Sequence, residues 1–376
     1  MLRWAQGRAG QAGSDVEHRF PRWSDWLDGS IHPTFHQVQD LARLTHVPFG
    51  AFFAPEPPVV ELPIPDFRRR RGAPLAEPSQ DLLQVLYASQ ERQDWFRDYS
   101  VRHGLDPVGF IGSGRDLTPT EAAARIVDQL DFDVERRGRI RIDGGARKYL
   151  FGTLEALGVI VNASSMVGNN THRLLDPDEF SGFALSDEIA PLIFVNAAET
   201  QAAQTFTILH EVAHLWRGDT GVGLDSAAGA HGLDLERWAN QVAAEALVPL
   251  TDLVARFRPA RGDALTTELD RLAKIYLAST LVILLQARAA RLLPDEGFDG
   301  LYETEVIRLR DLRDRSRSND GGNFYQVQHY RIGRRLPRAL ISDAYAGGTS
   351  LSDALRLLSF KQVKQLDTYA EELGVT

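Results

Sequence analysis

The chain has 376 residues, of which 43% are hydrophobic and 25% are charged, and this composition is typical of a globular protein with room for two or three domains. The net charge of −9 excludes a molecule that is basic as a whole and binds nucleic acid along its entire surface, but it leaves a local basic patch open. The absence of cysteine excludes disulfides and thiolate metal sites, so any metal must be held by histidine and carboxylate side chains.

The hydropathy of the N-terminus and of the most apolar window predicts a cytoplasmic protein. The N-terminus lacks the apolar core of a signal peptide, which would direct the chain to secretion. The most apolar window, Ile275 to Ala287, is flanked by Lys274 and Arg288 and is too short to cross a bilayer. We therefore expect no membrane partner.

The sequence pattern of residues 1–58 predicts a set of short helices. Within them, Trp26-x-x-Gly29-x-x-x-Pro33-Thr34 is followed by a predicted helix from Phe35 to Leu44. This pattern resembles the back half of a phage-repressor-type helix-turn-helix domain, but little chain is left for the helices that normally precede it. Two interpretations stay open: a degenerate DNA-binding domain, and a small helical bundle that packs on the next domain.

A proline-rich connector from Pro55 to Pro78 follows, and it contains four consecutive arginines, Arg68 to Arg71. Such a run can contact phosphates or can simply be a solvated linker. Beyond it, helical spacing predicts a long helix over Ser79 to His103. Further helices are predicted after the N-cap Thr118, whose capping-box partner is Glu121, and over 148–157.

The sequence period then changes from that of helices to that of strands. Three short apolar segments predict strands, and they are separated by turn residues. They are Val159 to Asn162, Gly182 to Leu185 and Leu192 to Asn196.

A metal-binding pattern, His210-Glu211-x-x-His214, follows the third predicted strand inside an apolar run. Residues four apart on a helix lie about 40° apart around its axis, so both imidazoles lie on one face and can bind one metal ion. The Glu211 carboxylate lies beside them, where it can take a proton from water. The apolar neighbours predict a buried helix. A coincidental pattern, with both histidines bonded to backbone carbonyls, is the alternative.

A catalytic zinc requires a third protein ligand. Among the candidates after His214, Glu236 fits best, because it is predicted to open a second helix with Asn240 on the same face, and Asn240 can hold a ligand imidazole. Alternatively, Glu236 is a first-turn carboxylate favoured by the helix dipole. His231 is a second choice as a ligand and a candidate donor to the oxyanion. The full candidate set is Asp219, Asp225, His231, Asp234, Glu236 and Glu245.

These residues carry a specific resemblance. His210-Glu211-x-x-His214 followed by Glu236-x-x-Ala239-Asn240 is similar to the ImmA/IrrE family of metallopeptidases. Segments elsewhere in the chain also resemble that family, namely 62–68, 182–196, 322–326 and 331–335. The resemblance implies that Glu236 is the third ligand of one Zn²⁺ ion, and that the substrate is a repressor-type transcription factor cut at one site. It also implies that a repressor-type helix-turn-helix domain precedes the peptidase.

The predicted fold is α+β and mostly helical, with a zincin-like core made of about three strands and the helix of His210. We expect four regions: a degenerate helix-turn-helix-like domain (1–58), the connector and long helix (59–115), the zinc metallopeptidase core (116–260) and a helical C-terminal region (261–376). The strand Gly182 to Leu185 is predicted to hold an extended peptide at its edge. Two other functions stay open: a DNA- or protein-binding regulator with a slow zinc site, and the toxin of a two-protein system.

Overall fold

The computed structural model describes residues 1–8, 15–45, 47–58, 78–143, 145–218, 230–316 and 324–375. The arginine run 68–71, the segment 62–68, and Asp219 and Asp225 lie outside the described residues. The N-terminal half contains α1 (Leu2–Arg8), α2 (Val16–Arg19), α3 (Trp23–Asp28), α4 (Phe35–Thr45), a 3-10 helix (Phe49–Phe53), α5 (Gln80–His103), α6 (Pro119–Gln129), α7 (Arg137–Ile142) and α8 (Ala146–Ala156).

The second part of the chain begins with the strands and continues as helices. Its elements are β1 (Ile160–Ser164), β2 (Gly182–Leu185), β3 (Leu192–Asn196), α9 (Gln201–Arg217), α10 (Ala230–Leu247), α11 (Leu250–Arg256), α12 (Asp263–Tyr276), α13 (Thr280–Ala289), α14 (Phe298–Ser316), α15 (Phe324–Arg331), α16 (Arg335–Tyr345), α17 (Leu351–Leu357) and α18 (Val363–Leu373). The predicted α+β, mostly helical fold is therefore confirmed.

The three strands form one mixed sheet in the order β1-β3-β2. β1 is parallel to β3, whereas β2 is antiparallel to β3 and lies at an edge. The bounds predicted for β2 and β3 are confirmed. β1 begins one residue later than predicted, because the Val159 amide donates to the Leu154 carbonyl and so closes α8. It also runs on to Ser164, which pairs with Asn196 of β3.

Helices cover both faces of the sheet, and alternate residues of each strand face opposite ways. One face carries Ala184, Ile193 and Val195 and belongs to the core that contains α9. The other carries Phe183 and Phe194 and packs with residues of α5. Burial on both faces explains why the strands read as continuous apolar runs rather than as alternating patterns.

The N-terminal helices have an apolar cluster of their own, built on Val16, Phe20, Trp23, Trp26 and Leu41. The chain between α2 and α3 turns at Pro21, whose ring cannot continue a helix, so the region has two short helices there instead of one. α3 ends at Gly29 in the left-handed conformation (φ 80°). Whether these helices bind DNA or only pack stays a prediction.

The C-terminal helices α16 to α18 enclose another apolar cluster, with Leu340, Leu366 and Tyr369 at its centre. Glu155 at the end of α8 joins this unit to the sheet domain, because its Oε1 accepts hydrogen bonds from the Arg334 and Arg335 amides at 2.5 Å and 2.8 Å. In the described part of the chain, no single helix is long and apolar enough to cross a membrane, and only the bent pair α12 and α13, at 102°, passes that test together.

Candidate metal centre

α9 is the buried helix that carries the metal-binding pattern. Its N-cap is Thr200, whose Oγ1 accepts from the Ala203 amide at 3.3 Å, and it ends at Gly218 in the left-handed conformation. A Cβ at Gly218 would lie 2.7 Å from the Gly112 Cα, so the loop before α6 packs directly against the end of the helix. The prediction of a helix buried nearly all round is confirmed.

The structure brings His210, His214 and Glu236 together. The two Nε2 atoms are 3.1 Å apart. Glu236 places Oε2 at 3.2 Å from the Nε2 of His210 and Oε1 at 3.1 Å from the Nε2 of His214. Donor atoms held about 2.05 Å from one tetrahedral zinc lie roughly 3.3 Å from each other. The three side chains therefore form a group that could bind one metal ion.

The polar atoms of this group are better placed to bind a shared cation than to form hydrogen bonds with each other. Two ring nitrogens that face each other at 3.1 Å can share at most one proton. The Oε2 of Glu236 is buried and accepts no hydrogen bond from the described residues, which is costly for a carboxylate oxygen. A divalent cation would satisfy both nitrogens and the carboxylate at once.

The charge of Glu236 also suits a cation. Burial acts to raise the pKa of its carboxyl, but the adjacent His210 and His214 outweigh burial and hold that pKa well below its ordinary value. The carboxylate is therefore ionised at neutral pH, and this is the form that binds metals. The helix α10 begins at Ala230, so the expectation that Glu236 opens the helix is wrong. The helix-dipole explanation for this carboxylate therefore loses its basis.

Glu211 follows His210 on α9, and its carboxylate faces the edge strand β2. It is 4% exposed, and its Oε1 is 3.3 Å from the position that a Cβ would take at Gly182. The same Cβ would come within 2.6 Å of the Thr207 Cγ2 and 2.7 Å of the Phe194 carbonyl oxygen. Glycine at 182 thus allows β2 to approach the carboxylate closely. This role of Gly182 was not predicted from the sequence, although a glycine inside a strand signals such an approach.

Residues 154–293 match the family model of the IrrE N-terminal-like domain, Peptidase_M78. The matched range, which we call the M78 domain, contains the sheet, α9 and α10 with all three members of the metal group. Residues 332–372 match a domain of unknown function, DUF8813. Neither range reaches the N-terminal helices. A comparison with curated proteins found no match.

Other candidates on α10 include Asn240, His231 and Asp234. Asn240 is one turn after Glu236 and half-buried, but it has no hydrogen bond to a ligand imidazole among the described residues, so its proposed role stays a prediction. His231 is in the first turn of α10, and its side chain lies outside the described part of the chain. Asp234 is exposed and pairs with Arg237 at 2.7 Å.

An apolar cavity of about 390 Å³ adjoins the metal group. Phe206, whose ring is stacked 6.3 Å from that of His210, forms its inner wall with Asn240. Ser181, the residue before β2, lies at its rim, and Leu285 of α13 lines the opposite side. The cavity therefore lies beside the metal group through Phe206 and beside the edge strand through Ser181.

Proposed function

We propose that the protein is a zinc-dependent endopeptidase. One observation carries the proposal: the side chains of His210, His214 and Glu236 approach each other pairwise at 3.1–3.2 Å, and Glu211 of the same helix faces the edge strand β2. The match of residues 154–293 to a peptidase domain supports the same conclusion. The Nε2 atoms of His210 and His214 and a carboxylate oxygen of Glu236 would hold the ion.

The metal ion and the side chains of the protein would have different roles in peptide hydrolysis. Zinc supplies Lewis acidity, which polarises a carbonyl and allows a water molecule to ionise near neutral pH. Glu211 accepts the proton of the attacking water and later donates a proton to the leaving amine. A metal-binding sensor has no need of such a base, so the glutamate favours catalysis over sensing. The donor that stabilises the oxyanion is proposed to be His231.

An extended peptide is proposed to bind along β2. The amide of Asn196 donates to the Ser181 carbonyl at 2.8 Å, and this pair sets the alternation of the antiparallel ladder. The backbone N–H and C=O groups of Gly182 and Ala184 consequently point away from β3, toward the free edge. A substrate strand added there would pass Glu211, and the adjoining cavity would accept an apolar side chain next to the scissile bond.

The proposed substrate is a repressor-type transcription factor, cut at a specific site in a stress or mobile-element response. The resemblance of the sequence to the ImmA/IrrE family supports this choice. The repressor-like pattern of the N-terminal helices favours a regulatory role, and for that region DNA binding and packing on the next domain stay the two alternatives. A toxin whose activity is restrained by a partner protein remains the alternative.

The proposal is tested by Glu211→Gln, which keeps the size of the side chain but cannot take up a proton. We expect cleavage of a co-expressed repressor-type transcription factor to fall about 10²–10⁴-fold, while metal analysis still finds one zinc per chain. Glu188→Gln makes the same chemical change at an exposed carboxylate of the M78 domain and is expected to cleave normally. A Glu211→Gln protein that cleaves at the original rate would refute the mechanism.

A further inference from the structure

A second cavity, of about 290 Å³, lies on the face of the sheet opposite α9. Its floor includes Phe194, which belongs to the cluster on the α5 side. Residues of α5, of the turn after β1, of α15 and of the segment after α17 form its walls. The cavity thus lies between the M78 domain and the C-terminal helices, and the proposed peptidase mechanism makes no use of it.

Arg92 and Arg331 line this cavity with guanidinium groups that use few of their donors. A guanidinium has five N–H donors. Arg92, only 8% exposed, donates from Nε to the Leu357 carbonyl at 2.9 Å and from Nη2 to the Ser359 Oγ at 3.3 Å. Arg331 donates to the Asn169 Oδ1. Its Nη2 lies 3.1 Å from the Sδ of Met166, a weak acceptor.

A third arginine shows what a guanidinium with a purely structural role looks like in this protein. Arg137 is fully buried and uses all five N–H donors on the carbonyls of Phe132, Ala246, Leu247 and Tyr276. Arg92 and Arg331 each make two contacts. The difference indicates that the two cavity arginines have donors left for something else.

The local charges leave a positive excess in the cavity. Neither Arg92 nor Arg331 forms an ion pair within the described residues. The carboxylate at the mouth, Glu91, is 55% exposed and pairs with Arg356. The remaining polar walls include Gln328 and Ser359, which can donate hydrogen bonds. Placing a buried and a half-buried cation in one cavity without a counter-charge is unfavourable unless an anion joins them.

We propose that this cavity is an anion site that binds a phosphate group, either as inorganic phosphate or as part of a small phosphorylated compound. Two guanidinium groups match the charge of a phosphate dianion, and the converging N–H and O–H donors match its several acceptor oxygens. A ligand bound there would contact both the M78 domain and the range that matches DUF8813. The proposal is independent of peptidase activity.

Calorimetric titration of the full-length, zinc-loaded protein tests the site, with inorganic phosphate in one arm and adenosine monophosphate in the other. We expect at least one of them to bind with one site per chain, and Arg331→Met to weaken that binding at least tenfold. Arg173→Met is the matched control, because Arg173 is also largely buried but is paired with Asp81. Phosphate held by the zinc would be indifferent to Arg331, which lies across the sheet. Binding in only the nucleotide arm identifies a phosphorylated compound as the ligand.

A second measurement uses the unaltered protein and so does not depend on whether Arg331→Met folds. Phosphate or the nucleotide should protect Arg331 of the unaltered protein from phenylglyoxal at least several-fold, as read by mass spectrometry, and should leave Arg173 unprotected. The proposal is overturned when neither compound binds in the millimolar range. It is equally overturned when Arg331→Met binds as the unaltered protein does, or when no selective protection is found.

Discussion

Two sites on α10, one at Glu236 and one at the C-terminal end, differ in how their buried polar groups are satisfied. In the second turn, Glu236 points a carboxylate at two imidazoles, and one of its oxygens is buried without a hydrogen-bond donor from the described residues. At the C-terminal end, the carbonyls of Ala246 and Leu247 are satisfied by Arg137, whose donors are all in use. The Glu236 site is incomplete without a ligand, whereas the C-terminal end is complete.

This difference separates groups that serve function from groups that serve the fold. A buried polar atom without a partner destabilises a protein, so it persists where something outside the chain completes it. A fully satisfied buried charge connects helices, and Arg137 joins α7 to the ends of α10 and α12. Substitutions at the Glu236 site should therefore change activity, and substitutions at the C-terminal end should change stability.

The largest expected effect is that of Glu236→Ala on activity. Loss of one of three ligands should remove zinc and reduce peptide cleavage at least about a thousandfold, which is of the order that enzymes lose without a central catalytic group. In a metal chelator, the free energy of unfolding should stay within about 1 kcal/mol of the unaltered protein, because no buried carbonyl loses its donor. Asp234→Ala, at an exposed carboxylate of the same helix, should retain zinc and activity. If the metal-free Glu236→Ala protein is strongly destabilised, Glu236 serves the fold as Arg137 does, and the proposed difference between the two groups is wrong.

Arg137→Met should have the second-largest effect, and on stability. Methionine fills much of the space but leaves four carbonyls without donors, and we expect a loss of about 2–5 kcal/mol in the free energy of unfolding. Burial lowers the pKa of Arg137 to about 10, so the group is still charged at neutral pH and lysine would not restore its planar set of donors. Urea denaturation measures the effect. Arg139→Met, on the same helix with a side chain 90% exposed, should change stability little.

The sequence predicted the metal group around Glu236 much better than the C-terminal end of α10. Two histidines four residues apart lie on the same face once a helix forms, so their relative position follows from the sequence. The apolar residues around them predicted both the helix α9 and its burial. The capping box of Thr118 and Glu121 was likewise local and is confirmed. Arg137 donates to carbonyls up to 139 residues away, and backbone carbonyls leave no mark in a sequence. Gly182 and the cavity arginines depend on the same kind of long-range contact.

Glu155 is intermediate between the incompletely satisfied Glu236 and the fully satisfied Arg137. Its substitution should have the smallest of the three effects. Its Oε1 has two amide donors, yet burial still raises the pKa of the carboxyl above its ordinary value of 4.5, although the amides and charges of Arg334 and Arg335 act to lower it. The folded state therefore binds the proton more tightly than the unfolded state. The resulting stabilisation is complete below pH 4.5 and is lost as the pH rises through the raised value.

Glu155→Gln keeps an oxygen that can accept both amides but removes the titration. We expect the stability of the unaltered protein, relative to this variant, to decrease between pH 4.5 and pH 7, as measured by urea denaturation at several pH values. Glu155→Ala, which deprives the Arg334 and Arg335 amides of their acceptor, should be less stable than both at every pH. A difference between the unaltered protein and Glu155→Gln that increases with pH would mean that the carboxylate, not the neutral acid, is the form that holds the C-terminal helices to the M78 domain. Glu155 would then be a fully satisfied group of the same kind as Arg137.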